Sequence, residues 1–181
     1  MWRKHLIGIS FSLLLFLGCT SLFPYRPHIS DEKLIGNFYA HQANFEKIAK
    51  MATEDSAVMT VGECYVLLNG YNTWRDNNQE GFSTERWNKY KELFNQLGSP
   101  YINRASKEDN ILKIASASIA VSDIDEYESI VISKGYAYSV KEPSPLVESL
   151  NEMGFESNGT FYKKISEHWY LYHDSGVSKP E

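Results

Sequence analysis

The chain has 181 residues, 43% hydrophobic and 23% charged, which is enough for one domain with its own core. Its 11 Gly, 6 Pro and 14% aromatic content exclude collagen-like, low-complexity and wholly disordered classes. With 18 basic against 23 acidic side chains the formal charge is −5. That balance argues against a nucleic-acid binder, which needs a dense Lys/Arg surface to displace counterions from phosphates.

Arg3, Lys4 and His5 precede an apolar run from Leu6 to Leu17. The run is too short to span ~30 Å of hydrocarbon and has the length of a signal-peptide core. It closes on Phe16-Leu17-Gly18-Cys19, which resembles the lipobox of bacterial lipoproteins, although Phe16 stands where that family favours Leu, Val or Ile. The resemblance implies cleavage after Gly18 and acylation of Cys19, palmitate included, so that the lipid is the chain's contact with the membrane. Several acyl chains anchor stably where one binds reversibly, because each buried CH₂ contributes ~0.8 kcal/mol. Thr20 follows the cysteine; by the same resemblance it permits sorting to the outer membrane, facing the periplasm. Losing residues 1–18 removes two basic groups and no acid, which takes the mature charge to −7. Lipidation leaves Cys64 as the one thiol, so no disulfide within the chain is expected.

Residues 19–29 read as the lipidated Cys and a short tether, 30–175 as a single globular domain and 176–181 as a flexible tail. Ser30 is a candidate N-cap, with Asp31 and Glu32 in the first turn, where the helix dipole favours acids. Leu34, Phe38, Phe45, Ile48, Ala49 and Ala52 recur at helical steps and predict one amphipathic helix over 31–53. Ala57–Val61 and Cys64–Leu68 predict two short strands, followed by a polar loop over 69–81. A second helix is predicted from Ser83, with Phe82 and Trp87 at staple spacing, Trp87, Tyr90, Phe94 and Leu97 on its buried stripe, and Gly98 and Pro100 ending it. Ile111–Ser122 and Tyr127–Val140 predict strands. Ser144-Pro145 predicts the start of a short helix that ends at Gly154, and Asn158-Gly159 a hairpin-type turn. Phe161–Ser166 and Trp169–His173 predict the last strands. Elements in blocks rather than strict alternation give an α+β class: an antiparallel sheet of about five strands, with two long helices and one short helix on one face.

The segments Lys134–Tyr138, Pro145–Leu150, Tyr162–Ile165 and Trp169–Tyr172 resemble the C-terminal half of a group of small proteobacterial proteins and lipoproteins. Leu34–Phe38, His41, Phe45-Glu46, Met51 and Trp87–Gly98 resemble its N-terminal half. The resemblance implies one domain over nearly the whole mature chain, and it implies no activity.

Two chemistries compete on the residues. Gly62-Glu63-Cys64-Tyr65 is similar to the cysteine position of lipid-anchored peptidoglycan hydrolases, with Cys64 as nucleophile and His173 as base, but lacks their Asp-Cys-Ser-Gly pattern. Inside an apolar run, an inert Cys is the default. Tyr136, Tyr138, Tyr162, Trp169, Tyr170 and Tyr172 are dense near the end, and those turned to solvent would make a recognition surface for an envelope protein or cell-wall polymer. The plainer role is cross-strand pairing. Asp76–Gly81 matches half of a calcium loop, but Trp87 stands where the bidentate Glu belongs. The histidines have no zinc spacing, so neither a metal nor another cofactor is expected. The favoured expectation is a lipid-anchored, non-enzymatic binding domain of the envelope.

Overall fold

Eight strands form one antiparallel sheet in the order β3-β2-β1-β4-β5-β6-β8-β7, three more than the pattern predicts. The computed structural model describes residues 29–68, 71–74, 82–104, 111–122, 129–154 and 157–178. Chain order is α1 (Asp31–Ala40), α2 (Gln42–Glu54), β1 (Val58–Gly62), β2 (Tyr65–Leu68), β3 (Tyr71–Trp74), α3 (Thr84–Leu97), β4 (Tyr101–Arg104), β5 (Leu112–Ser122), β6 (Ser129–Tyr138), β7 (Gly159–Lys164) and β8 (Trp169–Ser178). The α+β class and the antiparallel sheet follow the sequence reading.

The single helix expected over 31–53 is two. His41, at φ −126° and ψ 22°, separates α1 from α2, and its N–H bonds both Asn37 O and Phe38 O. Phe38 and Phe45 are seven residues apart, two turns of helix, so the apolar pattern keeps its face across the break and gives no sign of it. At α1 the Ser30 side chain accepts from Lys33 N–H, as an N-cap should. In α3 the Ser83 side chain accepts from Arg86 N–H, and Gly98, at φ 64°, occupies the left-handed position that ends the helix. Phe82 is buried against Tyr90, with ring centroids 6.0 Å apart.

The expected short helix over 144–154 is absent. Instead Tyr162 N–H donates to Pro145 O at 3.1 Å and Val147 N–H donates to Tyr162 O at 2.8 Å, a parallel bridge along the outer side of β7. β7 is an edge strand, and these bonds satisfy backbone groups that would otherwise invite another chain. Gly159, at φ 123°, opens β7 rather than turning a hairpin. β8 runs to Ser178, three residues into the segment read as a tail.

One row of side chains crosses the sheet on its helix side: Val66, Val61, Ile102, Ile114, Tyr136, Leu171 and Lys163. α1, α2 and α3 cover the apolar part of this row with Leu34, Phe38, Phe45, Ile48, Trp87, Tyr90 and Phe94. Phe38, Phe45, Tyr136 and Trp169 form an aromatic knot, with centroids 4.4 Å apart for Phe45–Tyr136 and 5.3 Å for Phe38–Trp169. Tyr136 ties it to the helices, donating from its hydroxyl to Leu34 O at 3.0 Å and accepting from Asn37 Nδ2 at 3.0 Å. The row is apolar until its last member. Lys163, on the edge strand, brings a charge to the border of the core.

Candidate functional site

The aromatic residues expected to form a recognition surface are interior. Tyr136, Tyr162, Trp169, Tyr170 and Tyr172 are 0–5% exposed, and Tyr138 is half-buried against Trp169. Strand alternation sorts them as it should. Tyr136 and Trp169 join the helix-side core, while Tyr162, Tyr170 and Tyr172 gather with Ile111 and Ala137 on the opposite face. On that face Lys113 Nζ lies 5.2 Å above the Tyr172 ring and 2.7 Å from Asp174 Oδ2. Burial, then the neighbouring Tyr101, raises the pKa of Tyr172. These tyrosines are packing, not a docking face.

Cys64 and His173 are not brought together. Cys64 lies in the β1–β2 turn and His173 in β8, four strand spacings away, about 19 Å along the sheet at ~4.8 Å each. His173 is fully buried, directly opposite Lys134 on β6. Cys64 is half-buried and disulfide-bonded, which corrects the expectation of a lone, buried thiol. The chain's other cysteine, Cys19, lies outside the described residues. So does the half-calcium loop over 76–81. Among the described residues no cluster of His, Cys, Asp and Glu could hold a metal ion.

The polar constellation that the structure does assemble was not foreseen. Asp31, in the first turn of α1 as expected, is 0% exposed. Its Oδ1 lies 2.8 Å from Lys134 Nζ, and its Oδ2 accepts from Lys163 Nζ at 3.0 Å and from Leu150 N–H at 2.9 Å. Its own N–H donates to Asn151 Oδ1 at 2.7 Å, and Asn151 Nδ2 donates to Glu32 at 3.3 Å. One residue thus joins α1 to β6, β7 and the segment before β7. Burial pushes the Asp31 pKa up, but the bonds from Lys134, the Leu150 amide and Lys163 outweigh it, and the carboxyl stays below its ordinary value. The signal in the sequence was Lys134 itself, a lysine inside the strand Ser129–Tyr138. Lysine is almost never fully buried without a partner.

A second cluster closes the other end of the helix pair. Arg86 donates from Nε to Asp55 Oδ2 at 2.7 Å and from Nη2 to Glu54 at 2.9 Å and Met51 O at 3.1 Å. Arg104 Nη2 donates to Ala52 O at 2.7 Å, and Tyr90 donates its hydroxyl proton to Asp55 Oδ2 at 2.8 Å. Two arginines thus satisfy carbonyls of the last turn of α2, where the helix dipole favours cations. No family model matches the chain, and neither a curated protein nor a solved structure is similar to it at a significant level.

Proposed function

We propose that the chain is a lipid-anchored domain of a bacterial cell envelope, facing the periplasm from the outer membrane, and that it works by binding an envelope protein or polymer rather than by catalysis. The observation that carries this reading is Gly18-Cys19 at the end of a signal-length apolar run. The fold supports it at the other end of the tether. Ile29 packs against the core and Asp31 is clamped to the sheet, so the chain is already part of the domain ten residues after Cys19. A stretch of that length spans at most ~35 Å, which sets the reach of the domain from its anchor. The separation of Cys64 from His173 weighs against the hydrolytic alternative.

Acylation and a disulfide to Cys64 are rival uses of the single Cys19 sulfur. Metabolic labelling with an alkyne-bearing palmitate, followed by membrane fractionation, separates them. The wild-type protein is expected to carry label and sediment with membranes, and Cys19→Ser to lose both. An unlabelled, soluble wild type whose mass shows an oxidised cysteine pair would overturn the anchor. In-cell crosslinking of the labelled protein against the Cys19→Ser control then reports its binding partner.

A further inference from the structure

Beneath the start of α1 a buried amine and a buried carboxylate meet the side-chain amide of Asn151, an exposed residue. Lys134 Nζ lies 2.8 Å from Asp31 Oδ1 and donates to Asn151 Oδ1 at 3.4 Å. Lys134 and Asp31 are 4% and 0% exposed. Asp31 Oδ1 makes an ion pair with the amine and accepts no hydrogen bond among the described residues. The Asn151 carbonyl is polarised by a second donor, the Asp31 N–H at 2.7 Å, a backbone amide at the positive end of α1. The Asn151 nitrogen is held on its far side by Glu32. These are the parts of an acyl transfer: nucleophile, base, oxyanion donor and leaving group.

We propose that Lys134 and Asn151 become joined by an intramolecular amide bond, with Asp31 relaying the protons. The ammonium of Lys134 gives a proton to Asp31 Oδ1, and the freed lone pair attacks Asn151 Cγ. The carbonyl electrons move onto Oδ1, where the Asp31 N–H stabilises them. Asp31 passes its proton to Nδ2, the carbonyl re-forms, the Cγ–Nδ2 bond breaks and ammonia leaves. The second amine proton follows through Asp31 and departs with the ammonia as ammonium. One Nζ–Cγ bond replaces one Cγ–Nδ2 bond, no redox partner is needed and the carboxylate is restored.

The charged and titratable groups around the amine set its pace. Asp31 and Glu32 come from α1, Lys163 from β7 and His173 from the strand beside it. Lys163 favours the ionised carboxylate, so moving the first proton from the ammonium onto Asp31 is the barrier. Lys163 Nζ makes no hydrogen bond to Asn151 among the described contacts, which leaves Lys134 as the nucleophile.

The test is the intact mass and tryptic map of the full-length protein recovered from cells, before and after alkaline incubation. The wild type is expected to run about 17 Da light, the mass of one ammonia, and to yield a branched peptide joining residues 134 and 151. A cyclised asparagine loses the same mass without branching, so the branched peptide decides. Lys134→Arg keeps the charge and removes the nucleophile; it is expected to fold, by circular dichroism, and to show no branch. Separate Lys134 and Asn151 peptides in the wild type after incubation overturn the proposal, whatever becomes of the variants.

Discussion

Asp31 and Arg86 serve opposite ends of the same helix pair, and they differ mainly in how much water they keep. Both answer the helix dipole, an acid in the first turn of α1 and a guanidinium on the carbonyls of the last turn of α2. Arg86 keeps a quarter of its side chain in solvent and its partner Glu54 half, so loss of a bond there is made good by water. Asp31 keeps none, and Lys134 almost none. Desolvating these charges offsets much of their attraction, so the intact cluster adds little net stability. Breaking it is another matter, because it strands a buried charge. Identical electrostatic logic therefore gives a tolerant end and an intolerant one.

The largest expected effect is at the dry end. Asp31→Ala should destabilise the domain by about 3–5 kcal/mol, read as a fall in urea midpoint, because Lys134 is left buried without a counter-charge. Its pH dependence has a definite sign. The folded carboxyl titrates below 3.8, so its contribution is present in full above that value. It fades as the unfolded chain takes up the proton, and it is gone once pH falls below the folded value. Wild type and Asp31→Asn should therefore differ at neutral pH and converge in acid. Curves that stay parallel down to strong acid would mean Asp31 carries no charge in the fold.

Next in size is an alkaline effect that both ends share. Tyr90, Tyr136 and Tyr172 all have their pKa raised by burial, and Tyr90 also by its bond to Asp55. The unfolded chain loses these protons near pH 10 while the folded chain keeps them. Stability should fall above that point by up to ~1.4 kcal/mol per pH unit for each tyrosine. Tyr90→Phe should make the alkaline limb shallower. An unchanged limb would assign the effect to other groups.

Arg86→Ala should cost less, about 1–2 kcal/mol, because water replaces part of what the guanidinium donates. Arg86→Lys should recover only some of it, since one ammonium cannot reproduce a fork that reaches Asp55, Glu54 and Met51 O together. Full recovery with Lys would make the site a simple charge contact.

The same contrast explains what the sequence disclosed. α3 was legible throughout, because its cap, apolar stripe and terminating Gly98 are all local signals. β3 and β4 were not, being four residues each with Asn among them, and they owe their strand state to neighbours: β4 joins β1 to β5. Pro145 stood where a helix could start, yet its segment is used to cover the edge of β7, a demand that arises only once the sheet exists. The aromatic pattern gave alternation correctly and exposure wrongly, because a period of two does not say whether the second face is covered. The tertiary role of Asp31 was hidden for a related reason. Its local role at a helix start was evident, but its partners Lys134, Leu150 and Lys163 lie more than a hundred residues away.

The wettest ion pair sets the lower bound of the comparison. Lys89 Nζ reaches Glu85 Oε1 at 2.8 Å one turn away on α3, with half of the lysine side chain and four-fifths of the glutamate in solvent. The distance matches that of Asp31 to Lys134, so distance alone would rank the two as equals. Solvent and screening ions already satisfy both charges when they part, and holding two long side chains together costs rotamer freedom. Lys89→Ala should therefore leave the urea midpoint unchanged within error, at low and high salt alike. A clear salt-dependent loss there would mean that burial is not what separates the two ends of the helix pair, and that length of contact is.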